Sequence, residues 1–221
     1  MIEFAGVGKT FGKISALQDI NFKVDDGEFV FIVGPSGAGK TTLLKLLIRE
    51  YKPSTGVIKV DNVDVTKIKK RDIPLLRQKI GIVFQDFKLL PERTIAENIE
   101  VPLAIKGVKK TEWKSRIDDV LKLVGLSDRA DLFPAQLSGG EIQRASIARA
   151  LVINPILIFA DEPTGNLDWD TGDLIMDLLS KINKEGKTII VTSHNKEIVN
   201  RYANRVIELK NGTVIKDKKK K

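Results

Sequence analysis

One octapeptide limits this chain more than any other segment. Gly34-Pro35-Ser36-Gly37-Ala38-Gly39-Lys40-Thr41 follows the apolar run Phe29–Val33 and opens a helical pattern over Thr41–Glu50, with Thr42 next in line. Glycines at this spacing let backbone N–H groups wrap an anion closely. The helix N-terminus behind them adds about half a positive charge pointed at the same place. A strand that feeds such a loop and then a helix belongs to an α/β sheet. In that setting the segment reads as a nucleotide phosphate site, with Lys40 reaching the β- and γ-phosphates and the Thr41 hydroxyl holding Mg²⁺. The other reading is a glycine-rich turn that binds nothing.

The rest of the chain fits an α/β core. Ile80–Phe84, Ile156–Ala160, Thr188–Thr192 and Val206–Leu209 join Phe29–Val33 as short, continuously apolar runs. Such runs suit a parallel sheet covered on both faces. Helical spacing brings Ile117, Val120, Leu121 and Val124 together over 111–124, opened by Thr111 and closed by Gly125. A second face gathers Leu174, Ile175, Leu178, Leu179 and Ile182 over 172–183. Met1–Phe4, Ile20–Val24 and Val57–Val60 are strand-like pieces separated by turns, a small β appendage. Residues 87–153 read as a helical insert and 216–221 as a basic tail, all within one domain spanning 1–221.

Composition removes several function classes. The chain has no cysteine and one histidine, which excludes a disulfide framework, a thiol nucleophile and a multi-His or Cys-ligated metal site. The net charge is +8, half of it in residues 216–221. Without an aromatic-studded basic stripe, no nucleic-acid partner is expected. No apolar run reaches the length of a bilayer span. The start, Met1–Gly6, lacks a signal-peptide layout, so a cytoplasmic protein is expected.

Further chemistry lies in four places. Asp161 and Glu162 end the apolar run Ile156–Ala160, and paired carboxylates there are costly unless they serve a ligand. Asp161 is placed to hold Mg²⁺ through water, and Glu162 to polarise an attacking water; the alternative is an acidic pair capping the next turn. Ser138-Gly139-Gly140-Glu141 is a capping box. A box alone does not explain two glycines in the first turn, which suggests close approach by another group, and a second helix N-terminus for one nucleotide implies a site shared between chains. Gln85 follows Ile80–Phe84 and reads either as a loop glutamine or as a ligand of Mg²⁺ or of the water. His194 follows Thr188–Thr192 and reads either as structural or as a neighbour of the γ-phosphate. Phe11 either stacks on a base or fills the core.

Taken together and in this order, these segments resemble the ATP-binding cassette (ABC) ATPases. The phosphate loop, Gln85, Leu137-Ser138-Gly139-Gly140-Glu141, Asp161-Glu162, Asn166-Leu167-Asp168 and His194 carry a likeness that runs from Ile2 to about Ile215. It implies a phosphate-loop NTPase core with a mainly parallel sheet, an N-terminal antiparallel β subdomain and a helical insert. It also implies ATP and Mg²⁺ as ligands, hydrolysis of ATP to ADP and phosphate, and a head-to-tail homodimer. Each ATP would then lie between Lys40 of one chain and Ser138 to Gly140 of the other. By the same likeness Phe11 stacks on adenine, Glu162 is the general base, His194 contacts the γ-phosphate, and Asp168 contacts the partner chain. Phe11 stands where tyrosine is common, and Ile142 where many relatives carry glutamine.

Within the family, Ile73–Leu90, Leu43–Leu47 and Asp161–Asp168 look closest to the cassettes that work in bacterial cell division. Those pair with an integral membrane, permease-like subunit at the cytoplasmic face of the cell membrane. Lipoprotein-release and macrolide-export ATPases share much of these stretches. Phe87, Leu89, Leu90 and Pro91 are either core or, if exposed, a docking patch for the membrane partner. The lysine tail is either solvated or in contact with anionic lipid. A nucleic-acid or ribosome-associated cassette and a phosphate-loop kinase are the competing functions. The first usually has two cassettes or long insertions, and the second leaves Ser138–Glu141 without a role.

Overall fold

The computed structural model describes residues 1–220. The chain begins with β1 (Ile2–Phe11) and β2 (Ile14–Val24), then β3 (Phe29–Val33) and α1 (Lys40–Leu47). Next come β4 (Thr55–Val60), β5 (Val63–Asp64), α2 (Ile73–Gln78) and β6 (Ile80–Val83). The helical segment consists of α3 (Ile95–Lys106), α4 (Lys110–Leu123) and α5 (Gly139–Leu151). The second half completes the core with β7 (Leu157–Asp161), α6 (Trp169–Lys184), β8 (Thr188–Ser193), α7 (Lys196–Tyr202), β9 (Arg205–Lys210) and β10 (Thr213–Lys219).

The five apolar runs, joined by β10, form one six-stranded sheet in the order β10-β9-β3-β8-β7-β6, parallel except for β10. Their register decides where the chemistry lies. Val33 pairs with Ser193, Thr192 with Asp161, and Ala160 with Val83, so β3, β8, β7 and β6 all end at one edge. In an open parallel sheet that edge is where ligands bind. Buried side chains on one face of this sheet pack against α3, α4, α5 and α6. Those on the other face pack against α1 and the antiparallel sheet β2-β1-β4-β5.

Several boundaries differ from the sequence reading. The N-terminal pieces are longer, because β1 and β2 pair through exposed positions as far as Phe11 and Ile14. Backbone ladder bonds, not burial, carry that extension. A register shift between Phe4 and Val7 is accommodated at Gly6, whose φ is 60° and whose N–H donates to Asn21 Oδ1 at 2.7 Å. The strand expected over Ile156–Ala160 begins one residue later, with Ile156 exposed and Asp161 inside the ladder. The helix expected to open at Thr111 starts at Lys110, with Lys109 as its uncapped N-terminus. Leu174, placed on the core face of α6, is instead exposed.

Part of the basic tail belongs to the sheet, with its side chains exposed. Residues 213–219 form β10, antiparallel to β9. Asn211 (φ 49°) and Gly212 (φ 76°) make the two-residue left-handed turn that joins the strands. Asp217 receives both forks of Arg205 at 2.8 and 2.7 Å, and Lys219 pairs with Glu28 at 2.6 Å. Lys221 lies outside the described residues.

Candidate nucleotide site

The phosphate loop links β3 to α1 and lines a cavity of about 540 Å³. Pro35, Ser36, Gly37, Ala38, Gly39, Lys40, Thr41 and Thr42 form one wall, and Gln85, Glu162, His194 and Ala16 complete it. Two of the loop glycines have no alternative. A Cβ on Gly34 would stand 2.4 Å from the Leu209 carbonyl oxygen. One on Gly39, whose φ is 106°, would stand 2.5 Å from Leu17 Cδ2. Lys40 is 8% exposed. Its ammonium donates to the carbonyls of Gly34 at 2.8 Å and Pro35 at 3.2 Å.

The two carboxylates of the strand end divide between two sets of partners. Asp161 accepts from the Thr41 hydroxyl at 3.1 Å and the Thr192 hydroxyl at 2.6 Å. Glu162 lies between Lys40 (3.3 Å to Nζ) and His194, whose Nδ1 is 2.9 Å away and whose backbone N–H donates at 3.3 Å. The turn that aims Glu162 is strained, since its φ of 49° is left-handed and a residue held there costs about 1–3 kcal/mol.

Gln85 exchanges hydrogen bonds with Asn166: its Nε2 donates to Asn166 Oδ1 at 3.2 Å, and Asn166 Nδ2 donates to the Gln85 carbonyl at 2.9 Å. Phe87 and Lys88, just beyond, are both left-handed, with φ of 60° and 53°. Arg149 holds them from α5, donating to the Lys88 carbonyl at 2.5 Å and the Phe87 carbonyl at 2.9 Å. Burial pushes the Arg149 guanidinium below its usual pKa. Leu89 packs on the core, while Leu90 and Pro91 are exposed. The same loop borders an apolar groove of about 520 Å³ between α2, β6, α3 and α5, lined by Phe84, Val101, Pro102, Ile105 and Ile153 among others.

Ser138, Gly139, Gly140, Asp168 and Phe11 do not line the cavity. The capping box is formed in full, with the Ser138 N–H and hydroxyl donating to Glu141 Oε2 at 2.9 and 2.7 Å. These two bonds, with Arg129 beside them, hold the Glu141 carboxyl down at about 2. The close approach inferred from the two glycines is made within the chain. A Cβ on Gly140 would meet Thr171 Cγ2 at 2.4 Å, and one on Gly139 would meet Leu167 Cδ2 at 3.3 Å. Asp168 caps α6 by accepting the Thr171 N–H at 3.0 Å, and Thr171 keeps its carboxyl below the usual range. The Phe11 ring is 39% exposed, edge-on to Tyr51 at 5.1 Å, with the Lys9 ammonium 4.8 Å from its centroid.

Three further contributors carry little or no signal of their own in the sequence. Ala16 sits on β2 with no motif to mark it. Asn166 was seen only as part of the resemblance. Thr192 was seen only as the end of an apolar run, although a hydroxyl closing such a run beside Asp161-Glu162 is the signal that finds it.

A family model described as "ABC transporter" matches residues 17–165. The cell division ATP-binding protein FtsE of Bacillus subtilis is 48% identical over 218 residues, covering 98% of this chain and 96% of the relative. Its counterpart in Escherichia coli K12 is 43% identical over 213 residues, covering 96% of each chain. Among solved structures, a dimeric bacterial ABC transporter cassette superposes with a TM-score of 0.89 at 42% identity, covering 99% of this chain and 98% of that one. The same cassette in a post-hydrolysis state bound to ADP and phosphate gives 0.88 at 40% identity, with the same coverage. With likeness of this extent in both sequence and fold, the chain belongs to the ABC transporter family and is an ATP-binding, ATP-hydrolysing cassette.

Proposed function

We propose that the chain is the FtsE-type ATPase subunit of a membrane complex in bacterial cell division, coupling ATP hydrolysis to the activation of peptidoglycan hydrolases through an FtsX-type, permease-like partner. The observation that carries the catalytic part is the gathering of Lys40, Thr41, Gln85, Glu162 and His194 around one cavity at the carboxyl edge of the parallel sheet, with Asp161 hydrogen-bonded to Thr41 beside it. Residues 1–221 act as one nucleotide-binding unit in this reading. Gly34 to Thr42 cradle the phosphates, with the N-terminus of α1 behind them. Lys40 leaves the Gly34 and Pro35 carbonyls for the β- and γ-phosphates. Glu162 takes a proton from the attacking water. His194 keeps Glu162 oriented through Nδ1 and contacts the γ-phosphate.

The residues fit Mg²⁺, because the Thr41 hydroxyl, Asp161 carboxylate and Gln85 amide form a hard oxygen donor set, the first two already 3.1 Å apart. When bound there, Mg²⁺ would neutralise charge on the phosphate oxygens.

Phe11, Ser138, Gly139, Gly140 and Asp168 lie outside the cavity of their own chain, and Ser138 and Gly139 are exposed. This supports a head-to-tail homodimer formed with ATP, in which the α5 N-terminus and Asp168 complete the partner's site. Ala16 at the cavity wall brings the β1–β2 hairpin near, which supports adenine stacking on Phe11. The apolar groove lined by Phe84, Val101 and Ile105 supports docking of the membrane partner, and with it a location at the cytoplasmic face of the membrane.

Tagged Glu162→Gln protein with MgATP, used to retrieve its partner from native membranes, tests the reading. Recovery of an FtsX-type subunit is expected. Recovery of a lipoprotein-release or macrolide-export subunit instead would replace the biology and leave the chemistry.

A further inference from the structure

The turn that carries Glu162 is held from two sides. From β8, the Glu162 N–H reaches the Thr192 hydroxyl at 2.9 Å and the Thr192 carbonyl at 3.2 Å. From α5, Gln143 Nε2 donates to the Pro163 carbonyl at 2.6 Å. Gln143 is fully buried, and its Oε1 has no hydrogen-bond partner among the described residues. An amide in that state is a poor stabiliser. It makes one bond, to the Pro163 carbonyl, and strands an acceptor in the interior, which offsets much of what that bond contributes. The amide supplies something an apolar side chain lacks, namely a fixed location for the carbonyl one residue beyond Glu162. That location needs fixing. Glu162 is left-handed at φ 49°, and the proline after it narrows its backbone choices further.

We propose that Gln143 is a positioning residue for ATP hydrolysis, acting through Pro163 to hold the Glu162 carboxylate at the phosphate loop. The proposal rests on the reading of Glu162 as the base. It does not involve nucleotide binding, because the phosphate loop is anchored on β3 and α1 and Gln143 does not line the cavity.

Gln143→Met keeps the volume and removes the donor. Its melting temperature is expected to fall by about 2–10 °C, because the Pro163 carbonyl loses its donor, and its ATP affinity is expected within about twofold. Turnover is expected to fall about ten- to hundredfold, the scale of a small misplacement of a reacting group. In the Glu162→Gln background the same substitution should cost almost nothing more, since the two act as a unit. Unchanged kcat in Gln143→Met, a parallel loss of ATP affinity, or a loss that adds in full to Glu162→Gln would each overturn the proposal. If the Met variant does not fold, Gln143→Asn withdraws the donor by one methylene and should show the same loss confined to kcat; parent-like kcat there overturns the proposal too. The two readings separate cleanly. An active Glu162→Gln enzyme removes the base assignment and the proposal with it. An inactive Glu162→Gln beside a parent-like Gln143→Met removes the proposal alone.

Discussion

The Lys40 ammonium stands 3.3 Å from the Glu162 carboxylate, with the two side chains 8% and 15% exposed. A pair this sheltered is held only if each charge has further partners. Lys40 has two carbonyls of the phosphate loop, and Glu162 has His194. The proposed phosphate-binding lysine is therefore satisfied by the proposed base. On the proposed reading, a γ-phosphate would compete with Glu162 for Lys40, with His194 remaining as the partner of Glu162.

Glu162→Gln preserves the shape of this arrangement and removes the proton acceptor. It should bind ATP at least as tightly as the parent, since the carboxylate facing the phosphates is gone. Turnover should fall about 10²–10⁴-fold, the usual contribution of a general base. A steady-state phosphate-release assay beside a binding titration checks both halves.

A site shared between chains predicts complementation. Lys40→Ala removes the phosphate contact, and Ser138→Arg places a bulky charge at the N-terminus of α5. Each should be inactive alone. Mixed in equal amounts, they form heterodimers with one intact site, and about a quarter of parental activity should return for random pairing. No recovery on mixing counts against head-to-tail assembly.

Glu141 links the capping box to pH. Its carboxyl is held at about 2 against an ordinary 4.5, chiefly by the Ser138 N–H and hydroxyl and then by Arg129. A lowered pKa means stability present above the ordinary value and lost as pH falls toward 2. At pH 7, Glu141→Ala should lower the melting temperature by about 2–4 °C, the effect of about 1 kcal/mol in a chain of this size. The gap between parent and variant should close between pH 4.5 and about 2. Melting curves across that range decide it.

Gly140→Ala tests the contact between α5 and the start of α6. Alanine is favoured over glycine in a helix by about 1 kcal/mol, but its Cβ would overlap Thr171 Cγ2 at 2.4 Å. In the parent the overlap should dominate, with a loss of about 1–3 kcal/mol. In a Thr171→Ser background, which lacks that methyl group, the same change should be neutral or stabilising. Denaturant unfolding of the four proteins measures the difference.

Much of this molecule was written locally. Gly34 to Thr41 announced the phosphate loop because its function needs backbone dihedrals, a compact glycine surface and a helix N-terminus, all properties of consecutive residues. Continuous apolar runs announced the parallel sheet because strands buried on both faces have no polar side. The capping box at Ser138 was legible for the same local reason. Tertiary structure decided the rest. Only the pairing of Thr192 with Asp161, and of Val83 with Ala160, brings Gln85, Glu162 and His194 to one cavity from segments far apart in the chain. Only packing shows that Gly140 makes room for Thr171, that Thr213–Lys219 form an edge strand tied to Arg205 and Glu28, and that a buried glutamine on α5 reaches Pro163. Local sequence specifies dihedrals and amphipathic faces. Strand register and interior contacts depend on which distant surfaces fill each other's space, and those surfaces do not exist until the chain has folded.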